Sequence, residues 1–322
     1  MSFTVNQVIG NYECLGIIDK PKAGVTYKVR NRATGEIESL RALPVATSRD
    51  PELAERLLRE IRIQTRLSHP NIVEFHDAFE IDGRLVMTTE FLEAPTIAEV
   101  CRDGGLPAGR AIHCMVQVLD GLEQAHELGI VHRGITAEHV TIAADGAVKL
   151  SGFDLAKPAS DTNLTRMGTV AGDPRYISPE QVMGQANLDA RADLYSVGVL
   201  LYQALTGKLP FDGPNDIDIL AAQMGSDPRP PSSLNPAISP ALDQVVLKAL
   251  KKDPNHRFAS AKEFRAALAA IESAEPPVQQ AATSLSPDSH PQPEPRRRFS
   301  PLMLGVLAAA IVAAGILWLV IH

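Results

Sequence analysis

The pattern of hydrophobic and polar residues changes along the chain from strand-like to helix-like. Near the start, Tyr12–Ile18, Val25–Asn31 and Ile37–Leu43 are rich in β-branched and aromatic residues, and polar turns separate them. Pro51–Leu67 then carries leucine and isoleucine mostly four positions apart among many charged residues, which is a helical spacing. The chain is therefore predicted to begin with a strand-rich part that contains one helix.

The following part is predicted to be mainly helical. Ala111–Leu128 and Asp193–Thr206 are long apolar-rich stretches, which predict buried helices. Val140–Ile142 and Ala147–Leu150 are joined through Asp145-Gly146, and this pattern predicts a short hairpin. A strand-rich part followed by a helix-rich part predicts an α+β fold with two lobes.

The composition changes again towards the end of the chain. Residues 273–300 are rich in proline and polar residues and are predicted to form a disordered linker that ends in Arg296–Arg298. Pro301–Ile321 is uncharged and apolar over about 20 residues, the length that crosses a membrane. Because the arginines precede this run and only His322 follows it, the positive-inside bias predicts a single-pass C-terminal anchor with the main domain in the cytoplasm.

Charge and small-residue spacing indicate which partners to expect. A net charge of −7 gives no electrostatic reason to expect nucleic acid. The three cysteines have no paired spacing, which is typical of a reducing compartment. Within the apolar run, Gly305, Ala309 and Ala313 recur every four positions and would allow two such helices to pack closely. The expected partners are therefore the membrane, other proteins and, as a further hypothesis, a second copy of the chain.

Six short segments occur in the order known from one protein family. They are Ser-His-Pro-Asn-Ile-Val (68–73), Gly-Ile-Val-His-Arg (129–133), Val-Lys-Leu (148–150), Ser-Pro-Glu (178–180), Asp-Leu-Tyr-Ser-Val-Gly (193–198) and Lys-Asp-Pro-Asn-His-Arg (252–257). Together they resemble the bacterial eukaryotic-like (Hanks-type) serine/threonine protein kinases. The resemblance covers residues 10–272 and implies a small β-rich lobe over about 10–92 and a larger helical lobe over about 93–272.

The resemblance also assigns residues that hold such a fold together. Glu180 and Arg257 correspond to a buried ion pair of the larger lobe. Asp193 corresponds to the residue that anchors the backbone of the catalytic loop. His132 and Phe153 correspond to members of an apolar column that links the lobes. These five positions are expected to be structural.

The positions that carry phosphoryl transfer in the family hold other residues here. Gly134 stands where an aspartate accepts the substrate's proton, and Thr136 replaces a lysine that neutralises the transferred group. His139 and Gly152 replace the asparagine and aspartate that bind Mg²⁺, and Arg41 replaces the lysine that holds the phosphates. Glycine cannot accept a proton, and imidazole is a poor ligand for Mg²⁺. The sequence therefore predicts a degenerate, non-catalytic member of the family.

A relic of the nucleotide cleft is nevertheless expected. Gly24 is the only glycine retained from the family's phosphate loop, and Arg41 could pair with Glu60, which matches the family's helix glutamate. Glu90 and Leu92 keep a hinge backbone that could bind a purine. These five residues are the candidate nucleotide-binding set.

The slot for the adenine ring has changed in chemistry. The positions that enclose the purine between apolar side chains in the family are Thr26, Ser39 and Thr141, which all carry hydroxyl groups. Each hydroxyl needs a hydrogen-bond partner or costs about 1–3 kcal/mol when an apolar ring face covers it. The cleft is therefore predicted not to be shaped for ATP, and no cofactor is expected.

The sequence supports one preferred function and two alternatives. The preferred function is a membrane-anchored pseudokinase that faces the cytoplasm and acts as a scaffold or allosteric partner of an active serine/threonine kinase. The first alternative is an atypical kinase in which Asp154 or Glu138 holds the metal after a loop rearrangement. The second is an ATP-binding sensor without phosphotransfer. Thr165 and Thr169 lie in the segment that matches the activation loop and are candidates for phosphorylation by another kinase.

Overall fold

The computed structural model describes most of the first 274 residues. The described ranges are residues 3–19, 24–43, 51–158 and 172–274. All of them belong to one compact unit, Met1–Pro276. The predicted linker, the predicted membrane-spanning run and the two candidate phosphorylation sites lie outside the described residues. Within the described ranges, no helix is both long enough and apolar enough to cross a membrane.

The small lobe is built on an antiparallel sheet of six strands, with one helix packed against it. The strands are β1 (Val8–Ile9), β2 (Tyr12–Asp19), β3 (Val25–Asn31), β4 (Ile37–Ala42), β5 (Phe75–Ile81) and β6 (Arg84–Glu90), and the helix is α1 (Pro51–Gln64). The strand order across the sheet is β1-β2-β3-β4-β6-β5. Because neighbouring strands are antiparallel and mostly consecutive in sequence, short turns can connect most of them.

The side chains of strand β4 point alternately to the two faces of this sheet. Its residues alternate between buried and half-buried, so Leu40 enters an apolar cluster with Phe3 and Ile9, while Arg41 is on the opposite side and contacts α1. Phe3 is 4% exposed. The lobe therefore includes residues before position 10, where the sequence predicted its start, because this segment supplies apolar side chains that cover the sheet.

The large lobe consists mainly of helices. Its helices are α2 (Ile97–Val100), α3 (Ala108–Glu127), α4 (Pro179–Val182), α5 (Ala190–Thr206), α6 (Asp216–Gly225), α7 (Pro240–Ala249) and α8 (Ala261–Ala274). Its strands are β7 (Ile130–Val131), β8 (Val140–Ile142), β9 (Val148–Leu150) and β10 (Lys157–Pro158), and they form the pairs β7–β10 and β8–β9. The predicted α+β fold with a strand-rich lobe and a helical lobe is confirmed.

The helix boundaries differ from the predicted ones for local reasons. Helix α5 begins at Ala190 rather than at Asp193, because the Asp189 side chain accepts a hydrogen bond from the backbone N–H of Arg191 at 2.9 Å and caps the helix. Helix α1 ends at Gln64 rather than at Leu67. The backbone N–H of Leu67 donates to the carbonyl oxygen of Gln64, three residues back, which is the pattern of a 3₁₀ turn and not of an α-helix. Both helix boundaries depend on local hydrogen bonds, which cannot be predicted from the spacing of apolar residues.

Candidate functional site

The loop after β7 is held in place by one buried carboxylate. Asp193 in α5 accepts hydrogen bonds from the backbone N–H groups of His132 and Arg133, both at 2.8 Å, and from the ring of His126 at 2.8 Å. Burial opposes the charged carboxylate, but the hydrogen bonds and the neighbouring histidines leave the pKa of Asp193 below its ordinary value. Arg133 has a left-handed backbone with φ +66°, so these bonds stabilise a conformation that non-glycine residues rarely adopt.

His132 is a buried neutral imidazole at the centre of the site. Its Nε2–H donates to the carbonyl oxygen of Ser151 at 2.9 Å, and its Nδ1 accepts from the backbone N–H of Gly134 at 3.2 Å. The centroid of its ring lies 4.4 Å from the centroid of the Phe153 ring. Burial is the main reason that the pKa of His132 falls to about 4. His132 and Phe153, which the resemblance assigned to one apolar column, therefore contact each other.

Gly134, at the position of the family's proton acceptor, is buried beneath a leucine. A Cβ added to Gly134 would lie 3.2 Å from Cδ1 of Leu155 and 3.5 Å from its Cβ. Leu155 also lies 3.7 Å from the equivalent point on Gly172. An aliphatic side chain therefore packs against the point at which a side chain at position 134 would begin, and nothing in this contact can accept a proton.

His139 and Gly152, the two positions that match the family's metal ligands, are in direct contact. The His139 Nδ1–H donates to the carbonyl oxygen of Gly134 at 2.7 Å, and the hydroxyl of Thr136 lies 3.3 Å from the same nitrogen. Gly152 has φ +84°, and a Cβ there would be 2.6 Å from Cγ and Cδ2 of the His139 ring. The imidazole thus fills the space that a side chain at position 152 would need.

Asp154, the carboxylate that the sequence offered as a substitute metal ligand, pairs with the small lobe. Its Oδ2 contacts Nη2 of Arg56 in α1, and the Nε–H of the same guanidinium donates to the Asp154 carbonyl oxygen at 3.2 Å. Glu138, the other candidate, is an exposed residue of the loop. The Asp154 carboxylate therefore forms an ion pair with a basic side chain of α1.

Two of the five residues in the candidate nucleotide set, Arg41 and Glu60, form an ion pair. Arg41 Nη2 lies 2.8 Å from Oε2 of Glu60, and Arg41 Nη1 donates to Oε1 at 3.0 Å. The Glu60 side chain is 2% exposed, and burial raises its pKa although the Arg41 charge acts in the opposite direction. Gly24, with φ +155°, packs so closely on β4 that a Cβ there would be 3.1 Å from the Ala42 carbonyl oxygen.

Comparison with known proteins identifies the family. A sequence model described as the protein kinase domain matches residues 12–268. The chain belongs to the protein kinase family. It is 36% identical over 245 residues to the serine/threonine-protein kinase PknB of Mycobacterium leprae, covering 74% of this chain and 39% of the relative. It is 34% identical to a probable serine/threonine-protein kinase of Streptomyces coelicolor, covering 83% and 41%.

A solved kinase structure supports the same fold. The kinase domain of Mycobacterium tuberculosis PknI aligns with a TM-score of 0.65 at 24% identity, covering 84% of this chain and 99% of that one. This likeness shows the fold alone. The chain spans about two-fifths of the length of the curated relatives described above.

In this member of the kinase family, charged side chains engage both ends of the hinge. Glu90 ends β6, and its carboxylate accepts from Lys149 Nζ at 2.6 Å and from the backbone N–H of Glu74 at 2.7 Å. Lys28 in β3 lies 3.2 Å from the carboxylate of Glu93. Leu92, between these two contacts, is half-buried. Glu90, one of the two predicted hinge residues, is thus linked to the large lobe through Lys149.

The three hydroxyl residues predicted to line the adenine slot are divided between the lobes. Thr26 is on β3 and Ser39 on the neighbouring strand β4, while Thr141 is on β8 of the large lobe. All three are half-buried, so each retains some exposure to solvent. That these three hydroxyl groups line one slot stays a prediction.

Glu180 and Arg257 make the bidentate pair that the resemblance implied for them. The guanidinium donates to both carboxylate oxygens, at 2.7 and 2.8 Å, and also to the backbone carbonyls of Lys251, Lys252 and Arg191. The Arg257 side chain is fully buried. This pair connects the start of α4 to the loop before α8.

The residues present do not fit the Mg²⁺-nucleotide that the kinase family implies. Mg²⁺ demands oxygen ligands in near-octahedral geometry. At the two family positions there is no side-chain donor on Gly152, and the Nδ1 of His139 is hydrogen-bonded to Gly134. In the part of the chain that the structure describes, no group of three or more His, Cys, Asp or Glu side chains could hold a metal ion.

Sequence reasoning did not identify Arg56 and Leu155 as members of the site. Arg56 belongs to a charged helix surface, and Leu155 to an apolar stretch after the altered Gly-Phe-Asp segment, so neither stands out from its neighbours. The family's segment reads Asp-Phe-Gly, whereas residues 152–154 read Gly-Phe-Asp. This exchange was the available signal, because an aspartate two residues beyond its usual place needs a new partner.

Proposed function

We propose that this kinase-family chain is a pseudokinase that does not transfer phosphate and acts as a signalling scaffold or allosteric partner. The observation that carries the proposal is the packed contact between His139 and Gly152. A side chain cannot be added at position 152 without displacing the imidazole, since a Cβ would lie 2.6 Å from it. The pair of positions on which the family's metal chemistry depends is thus used for packing.

The other changed positions support the same function. Loss of a general base alone costs about 10²–10⁴-fold in rate. Gly134 provides no base, and Leu155 packs against it at the distances given above. Arg41 is held by Glu60 through one hydrogen bond and a second close ionic contact, and a planar guanidinium does not replace an ammonium at a phosphate site. These effects fall on the same reaction, so their combined loss leaves no useful turnover with the family's geometry.

The proposed partner is an active serine/threonine kinase, met at the membrane. The relatives described above carry the name of serine/threonine kinases, and their sequences extend well beyond the part matched here. We propose that residues 301–321 anchor the chain and that the kinase-like domain faces the cytoplasm, on the basis of the apolar run and of Arg296–Arg298 before it. Nucleic acid is not a proposed partner.

An atypical kinase is the competing function, and the names of the relatives favour it. This function requires a carboxylate near the phosphate positions. Asp154 is the nearest in sequence, but it would have to leave Arg56, and Glu138 would have to turn inwards from an exposed position. A nucleotide sensor without transfer would instead rely on the hinge backbone at Glu90 and Leu92.

Phosphotransfer by the full-length chain tests the proposal. The chain is incubated with γ-labelled ATP, Mg²⁺ or Mn²⁺ and a generic protein substrate, beside the kinase domain of Mycobacterium leprae PknB as a positive control. We expect label in the substrate and in the chain itself to equal that of an Arg41→Ala variant. Transfer above this background that Asp154→Asn abolishes would overturn the proposal in favour of the atypical kinase.

A further inference from the structure

One ion pair connects helix α1 of the small lobe to the large lobe just beyond the altered metal positions. The guanidinium of Arg56 reaches Asp154 with two groups, Nη2 to the carboxylate and Nε to the backbone carbonyl. The side chains are 37% and 26% exposed, so the pair is only partly screened by water. A fork of two bonds fixes the direction of approach as well as the distance.

The same helix is held at a second point on the same side. Glu60 follows Arg56 by four residues, so the two side chains lie on one face of α1. Glu60 binds Arg41 of the sheet in its own lobe, whereas Arg56 binds Asp154 of the other lobe. One helix face therefore carries a carboxylate used within the small lobe and a cation used across the lobes.

We infer that Arg56 and Asp154 form a permanent inter-lobe latch, which fixes α1 against the large lobe without nucleotide, metal or phosphorylation. Both side chains belong to the chain itself, so the pair forms without an added ligand. The helix position is therefore not set by a ligand that binds and leaves. In this view the aspartate two residues after Gly152 holds a helix instead of a metal.

The inference rests on the two contacts between Arg56 and Asp154, which do not depend on whether the chain transfers phosphate. Its test therefore uses no nucleotide and reads the helix directly. Hydrogen–deuterium exchange of the full-length chain reports how often the amides of α1 open. Helices α3 and α5 in the same experiment report whether the large lobe stays folded.

Three variants and one matched control separate the latch from a general charge effect. We expect Arg56→Gln and Asp154→Asn each to increase exchange in α1 by about 3- to 10-fold, the size expected for a partly exposed charged pair. The double variant should exchange no faster than Arg56→Gln alone, because that substitution already removes both bonds, whereas Asp154→Asn leaves the bond to the backbone carbonyl. Arg59→Gln, on the same helix, should leave exchange unchanged, since Arg59 pairs only loosely with Glu55 at 3.8 Å within α1.

Reversal of the charges makes the inference falsifiable even if the single variants loosen the whole chain. Arg56→Asp combined with Asp154→Arg should restore protection of α1 towards that of the unaltered chain. Unchanged exchange in both single variants, additive effects in the double variant, or a reversed pair no better than the single variants would each overturn the latch. If phosphotransfer were found in the assay above, these exchange results would still decide the latch independently.

Discussion

Restoring an aspartate at position 152 would place a side chain into the imidazole of His139. The backbone of Gly152 is left-handed at φ +84°, and an added Cβ would lie 2.6 Å from two ring carbons. Real Cβ atoms do not approach other atoms so closely, so either the ring or the backbone must move. If the ring moves, His139 gives up its hydrogen bond to the carbonyl oxygen of Gly134.

The expected cost has two parts. A left-handed conformation costs a residue with a side chain about 1–2 kcal/mol, and overpacking a filled site costs about 1–3 kcal/mol. Gly152→Asp should therefore destabilise the chain by about 2–5 kcal/mol. His139→Asn removes the ring, so the second part should disappear when the two substitutions are combined. The coupling between them should then be about 1–3 kcal/mol in favour of the double variant.

Thermal unfolding of the full-length chain followed by circular dichroism measures this coupling. A loss of 1 kcal/mol lowers the midpoint by about 2–4 °C in a domain of this size. We expect Gly152→Asp to unfold at least 4 °C below the unaltered chain, and the double variant to unfold well above the value obtained by adding the two single effects. Strict additivity, or a Gly152→Asp chain as stable as the original, would refute the packing argument.

Three further predictions concern ionisable groups that are buried or half-buried. Arg257→Met leaves the Glu180 carboxylate buried and unpaired, so urea unfolding should show that the free energy of unfolding falls by about 3–5 kcal/mol. Adding Glu180→Leu should recover most of this stability, and no recovery would contradict the pairing argument. The pKa of His132 is lowered to about 4, so as the pH falls the unfolded chain binds a proton before the folded chain does. About 3 kcal/mol of the free energy of unfolding should therefore be lost between pH 6.5 and pH 4. His132→Asn should remove this pH dependence, and an unchanged pH dependence in that variant would contradict the assignment to His132. Burial lowers the pKa of Lys252 to about 8, so stability should rise between pH 8 and 10.5, and an equal rise in Lys252→Met would exclude Lys252 as its cause.

The fold was predictable because local patterns and long-range packing agree. Val25–Asn31 is a strand with the predicted ends, since its β-branched and aromatic residues alternate across a half-buried sheet. Helix α5 was predicted from its apolar stretch, and only its capped first turn was missed. The packing of Phe3 in the small lobe was not predicted, because a single aromatic residue near the start of a chain does not reveal what it covers.

The candidate site was predictable in position but not in contacts. Alignment with the family's motifs identified Gly134, His139 and Gly152 as changed positions without any structure. The motifs could not predict that His139 would pack on Gly152, because that depends on a left-handed backbone and a ring orientation. The Arg56–Asp154 pair joins residues 98 positions apart, and no spacing in the sequence connects them.

The most direct test of the central proposal is thermal unfolding of the full-length chain with millimolar ATP, with and without Mg²⁺. A ligand at about 100 times its dissociation constant stabilises a protein by about 2.7 kcal/mol, which raises the midpoint by several degrees. The proposed pseudokinase predicts that adding Mg²⁺ produces no increase in the midpoint beyond that seen with ATP alone. A shift of several degrees that requires both ATP and Mg²⁺ would contradict it.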